Sequence, residues 1–267
     1  MACEVTWNPL DKHTSYTLSN SDLTSTKVGS SHGLVRSTLA KSTGKLYFEF
    51  LISTGVASMY MGVATASAAL ASYLGSDAHG WCLRPDKYKM HSGGSTLTDT
   101  GYTTSDVFQV AIDLDSGKVW FGVNGSWADS GDPCAGTAPT YTDSDLSSHP
   151  IFPTGSCYNS GGVFILRACD CDQSYSPPSG FDPWVITTVY KLSGTIKEKG
   201  FAAERVVKCY TRSTGILYSS TTSAPDGSFS LDAPDDSTEM YVIAISDDAD
   251  DDFNSLIFDR VTGILQE

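Results

Sequence analysis

DVFQVAIDLDSGKVWFGVNG, running from Asp106 to Gly125, consists of two strands and the turn between them. Val107 to Leu114 alternates its faces, and Lys118 to Val123 is rich in aromatic and branched residues. Between them Asp115-Ser116-Gly117 is the short glycine-containing loop that closes a hairpin, and Asn124-Gly125 is a second turn signal directly after it. The pattern extends outward from there. Leu46–Ile52, Met59–Ala64 and Val163–Ala168 are further strand-like runs, and no long amphipathic helix is visible. Abundant Ser, Thr and Gly with only 18% charged residues also favour strands joined by turns, so an all-β fold is expected.

Three prolines between Tyr175 and Pro183 cannot continue a central strand. They divide the chain into a first domain at 1–183, a linker at 184–187 and a second domain at 188–267. After the linker the strand pattern restarts at Val189–Ile196, Val206–Tyr210, Leu217–Thr222, Phe229–Leu231, Met240–Ile245 and Leu256–Val261. Six short strands in 80 residues, with turns such as Ser213-Thr214-Gly215 and Pro225-Asp226-Gly227, describe a small β-sandwich.

The net charge of -14 falls equally on the two domains, so the shorter one is the more acidic per residue. Phosphate backbones and anionic lipid are held by clustered Lys and Arg, which are absent, so neither nucleic acid nor membrane is an expected partner. No apolar run approaches the roughly 20 residues that span a bilayer, and the start Met1–Trp7 lacks the character of a secretory signal. Synthesis and folding in a cytoplasm are expected, with all seven irregularly spaced cysteines reduced and unpaired. No cofactor is implied.

The segments GKLYFEF (Gly44–Phe50), MGVAT (from Met61), YLGSDAHGWCLR (Tyr73–Arg84), DVFQVAIDLDSGKVWFGVNG and PIFPTGSCYNSGGVFILRA (Pro150–Ala168) resemble the SPRY family in order and spacing. Tyr175–Phe181 is similar to that family's closing segment. The resemblance implies a bent two-sheet β-sandwich that binds a protein or other ligand without catalysis, through loops at one end. Phe48, Phe50, Ile112, Leu114, Trp120, Phe121 and Ile165 are its expected inner-face residues. A long loop at Ser126–His149, with Trp127 and Tyr141, departs from shorter members and is a candidate carrier of specificity. The second domain resembles transthyretin-like or carboxypeptidase-regulatory-like sandwiches through its Asp226-Gly227-Ser228-Phe229 turn, which implies an immunoglobulin/transthyretin-like β-sandwich in a spacer or docking role. Tyr241–Gly263 is similar to the ends of virion structural proteins of tailed bacteriophages.

Enzymatic signatures are missing: there is no Gly-x-Ser-x-Gly elbow, His-Glu-x-x-His, P-loop or Rossmann fingerprint. Asp77 and His79 lie two apart, as an acid/base pair can, yet a turn-side hydrogen bond is the better expectation. Cys169 and Cys171 share a strand face but have no second pair at zinc spacing, and the five carboxylates of Asp247–Asp252 lack the pattern of a calcium loop, so no metal site is assigned. Tyr73, Tyr88, Trp127, Tyr141 and Tyr158 fall in or beside loops, where aromatics anchor interfaces, and form the candidate contact surface. Leu256, Ile257 and Phe258, three consecutive large apolar residues, form a candidate docking strand from which Ile257 is expected to point away from the core. The leading expectation is a non-enzymatic, multi-copy virion protein of the tail, fibre or capsid-decoration type. Its partners would be other virion proteins and, for host recognition, a host surface molecule. A cytosolic or surface adaptor for a peptide or host protein is the alternative.

Overall fold

The Asp106–Gly125 hairpin forms, with Asp113 opposite Lys118 and Phe108 opposite Val123. Gly117 closes its loop at φ 65°, where a side chain would also meet the Asp143 carbonyl oxygen at 2.4 Å. The computed structural model describes residues 5–185, 190–198, 200–234, 238–245 and 256–265, with the backbone alone at 198, 256–260 and 265. The chain divides into two units, Met1–Thr187 and Thr188–Glu267.

In the first unit one sheet orders its strands Trp7–Lys12, Leu34–Ser37, Ile151–Cys157, Met59–Thr65, Gly80–Leu83, Tyr88–His91 and Gly94–Leu97. The other runs Ser126–Trp127, Lys118–Val123, Val107–Asp113, Lys45–Thr54, Val163–Arg167, Thr24–Lys27 and Tyr16–Ser19. Tyr141–Thr142 pairs with its Lys118–Val123 strand, and Asp182–Pro183 runs parallel beside Lys45–Thr54. Between the sheets lie Trp7, Phe48, Phe50, Met61, Trp81, Phe108, Ile112, Phe121 and Phe164, all fully buried. Phe50 stacks on Trp7 at 5.7 Å, and Phe164 meets Trp7 edge-on at 5.4 Å.

Four expectations need correction. Trp120 does not share the inner face with Phe121, because successive residues of a strand point to opposite sides. It lies on the outer face with Tyr47, Ala111 and Phe181, and its indole donates to the Thr137 carbonyl at 2.8 Å. Ile165 is likewise outward and half-buried, since Phe164 and Leu166 take the core positions. Trp184, assigned to the linker, is 0% exposed against Phe48 and donates from its indole to the Leu39 carbonyl at 3.2 Å. Finally, Cys169 is disulfide-bonded, while Cys82, Cys134, Cys157, Cys171 and Cys209 are free. A single cross-link among irregularly spaced cysteines leaves no spacing signature.

The second unit has a four-stranded sheet, in the order Leu217–Thr222, Val206–Thr211, Met240–Ile245, Leu256–Val261, and a three-stranded one with Tyr190–Thr195 between Ser228–Ala233 and Ile264–Leu265. Leu192, Val207, Cys209, Leu231, Met240 and Val242 join them in one core. At its Asp226-Gly227 turn, Gly227 has φ 80° and the Asp226 carboxylate accepts from the Ser228 amide at 2.9 Å. Leu256, Ile257 and Phe258 lie on the strand at one edge of the four-stranded sheet, opposite Ala244, Ile243 and Val242. The expected outward direction of Ile257 and the Asp247–Asp252 run lie outside the described residues.

Candidate functional site

The strand Met59–Thr65 sends Met59, Met61 and Val63 into the core, which leaves Tyr60 on the outer face of its sheet. Tyr73 stacks on Tyr60 at 5.4 Å. His32, from the loop before Leu34, packs 5.1 Å from Tyr73, 6.3 Å from Tyr60 and 4.8 Å from Tyr158. The Arg84 guanidinium lies 5.4 Å from the Tyr60 ring and 5.9 Å from that of Tyr88. Tyr88 and Tyr158 remain 37% and 39% exposed, so the patch presents ring surface to solvent at two places.

Burial, and after it the charge of Lys27, pushes the His32 imidazole below its ordinary value. Its Nδ1 is buried without a hydrogen-bond partner. Burial raises the Tyr60 hydroxyl and Arg84 opposes that shift. At neutral pH the patch therefore offers neutral rings and one guanidinium, a surface for stacking and hydrogen bonding.

Of the five aromatic residues chosen from the sequence, Tyr73, Tyr88 and Tyr158 meet here, joined by His32, Tyr60 and Arg84. Those three went unnoticed. For Tyr60 a signal was present, since an aromatic residue at a solvent-side position of a buried strand is out of phase with the core pattern. Trp127 and Tyr141 fold back elsewhere. Trp127 packs edge-on to Tyr47 at 6.4 Å, over Gly122. Tyr141 leans on Phe121 and His91, beneath the Lys89 ammonium at 5.2 Å, and burial raises its hydroxyl strongly.

The Ser126–His149 insertion carrying both is clamped to the sandwich. Asp143 accepts from the Trp81 indole at 3.1 Å and lies 3.2 Å from His91 Nε2, while Trp81 and His91 stack at 4.9 Å. Lys89 donates to the Thr140 carbonyl at 2.9 Å. Asp99 and Asp129 each accept from the other's backbone amide, at 2.7 and 3.0 Å. Asp77 accepts from the backbone amides of His79 and Ala69, so its carboxylate caps a turn. The disulfide at Cys169 removes that thiol from metal ligation.

The SPRY domain family model matches residues 45–168. Among solved structures, the SPRY domain of human HERC1 aligns over 64% of this chain and 99% of its own, with a TM-score of 0.52 and 17% identity. The TRIM65 PSpry domain aligns over 61% of this chain and 90% of its own, at a TM-score of 0.47 and 19% identity. Stonustoxin aligns over 61% of this chain but 27% of its own length, at a TM-score of 0.47 and 21% identity. No curated protein matches the sequence.

Proposed function

Starting from the SPRY domain at residues 45–168, we propose that the chain is a non-enzymatic binding protein whose first unit captures a protein partner on the His32, Tyr60, Tyr73, Arg84, Tyr88 and Tyr158 patch. The observation that carries this is the convergence of four tyrosines, an uncharged histidine and an arginine from separate segments onto one outer face. Tyrosine and arginine are the side chains that concentrate binding energy at protein interfaces. Partner capture by immobilised chain should fall at least tenfold on Tyr158→Ala with Tyr73→Ala while the fold persists. Undiminished capture refutes this assignment.

The finer role we assign is that of a tailed-phage virion protein of the tail, fibre or head-decoration type, present in many copies. The first unit would face outward toward a host surface molecule, and the transthyretin-like second unit would dock to other virion proteins. Support for this comes from the likeness of Tyr241–Gly263 to the ends of such proteins and from the edge position of Leu256, Ile257 and Phe258. Recovery of the chain in purified particles, at a copy number set by particle symmetry, is the expected result. Absence from particles with patch-dependent capture intact would leave the adaptor role.

A further inference from the structure

Lys27 ends the strand Thr24–Lys27 and is 1% exposed. Burying an ammonium is costly unless an anion compensates it. Among the described residues none does. The ammonium donates to Ser15 Oγ, lies 3.5 Å from Ser31 Oγ and sits 4.7 Å over the Tyr16 ring. Desolvation lowers it below the ordinary lysine value, and the single group acting against that is Cys157.

The surroundings add positive charge. Lys12 donates to the Tyr16 carbonyl at 2.8 Å, and burial, followed by the charges of Lys27 and Lys12, depresses His13. The Ser15 backbone amide donates to His13 Nδ1 at 3.2 Å, which makes that nitrogen an acceptor. Ser15 Oγ, 2.6 Å away, then gives its own proton to His13 and accepts from Lys27. Ser31 Oγ–H keeps a proton to donate. The loop that follows Lys27 exposes Val28, Gly29 and Ser30 and continues through Ser31 into His32 of the aromatic patch. The charge of Lys27 is felt at His32.

We propose that Lys27, with Ser31, receives a carboxylate of the protein partner, a side chain or a chain terminus, beside the aromatic patch. This deepens the binding role assigned to that patch and rests on it. One ammonium with one hydroxyl donor matches a monoanion, whereas a phosphate dianion would bring a second charge to a chain already at -14.

The test uses the full chain with labelled lysine side chains, followed by NMR during titration with acetate, with inorganic phosphate, and with chloride at matched ionic strength. Acetate should shift the Lys27 resonance saturably, at least tenfold more tightly than chloride and more tightly than phosphate. Lys27→Met should lose that response, and Ser31→Ala should weaken it several-fold. If Lys27→Met fails to fold, Lys27→Gln and the serine variant carry the test. No saturable shift with acetate, or tighter binding of phosphate, overturns the assignment. Tyr158→Ala should leave acetate binding intact, so loss of the patch and loss of the anion site are read separately. Partner capture that survives Lys27→Met within twofold overturns the link between them.

Discussion

Glu49 is fully buried with no basic side chain bonded to it among the described residues; its carboxylate accepts from the Tyr47 hydroxyl at 2.8 Å and from the Ser174 and Tyr175 amides at 2.7 and 2.8 Å. One side chain in the central strand thus holds the closing segment of the first unit against the outer face of the sheet. Glu49→Gln turns an amide toward a donor, and we expect a loss of about 2–3 kcal/mol in urea unfolding. Asp172 gives a pH signature. Burial raises its carboxyl from 3.8 to about 6, and one oxygen has no hydrogen-bond partner. The folded state therefore binds that proton more tightly than the unfolded state, so stability falls as pH rises from about 4 to about 6 and then levels. Asp172→Asn should abolish this slope, matching the parent at pH 4 and exceeding it at pH 7 by no more than about 1 kcal/mol, because the site is only partly screened from solvent. Thermal unfolding across that range checks it; an unchanged slope would assign the pH dependence to other groups. Neither residue announced its role in the sequence, where Glu49 is one polar position in an aromatic strand and Asp172 one acid in a loop.

At the scale of elements, the Asp106–Gly125 hairpin was legible because turn chemistry and alternation are local properties. The Ser126–His149 insertion was not. A candidate carrier of specificity, it is fastened by Asp143, Lys89 and the Asp99–Asp129 exchange, all of which join residues dozens of positions apart. Asp143→Ala would leave the Trp81 indole without its acceptor. We expect a cost of about 1–3 kcal/mol and faster hydrogen exchange confined to residues 126–149 and the strands beneath them. Uniform protection in that variant would show that the clamp is not needed to hold the insertion.

For the molecule as a whole, the two-unit division has a consequence for fragments. Residues 1–187 retain Trp184 in the core, whereas 1–183 removes it and opens a cavity beside Phe48. The shorter fragment should be less stable by about 3–5 kcal/mol, read as the difference between the two urea midpoints. Equal midpoints would mean the core closes without the indole. By itself the sequence determined the all-β class, the hairpin and the strands on both sides of the proline cluster, because each depends on near neighbours, and the SPRY resemblance, because the order of such local segments is itself written in the chain. Only the tertiary structure decided which aromatics meet. Tyr73 and Tyr158 are joined through His32 while Trp127 and Tyr141 turn away, Trp120 leaves the core that Phe121 enters, and Lys27 is buried without a carboxylate among the described residues. Alternation assigns a residue to one of two faces, but which face is covered, and by what, depends on segments that only folding brings together.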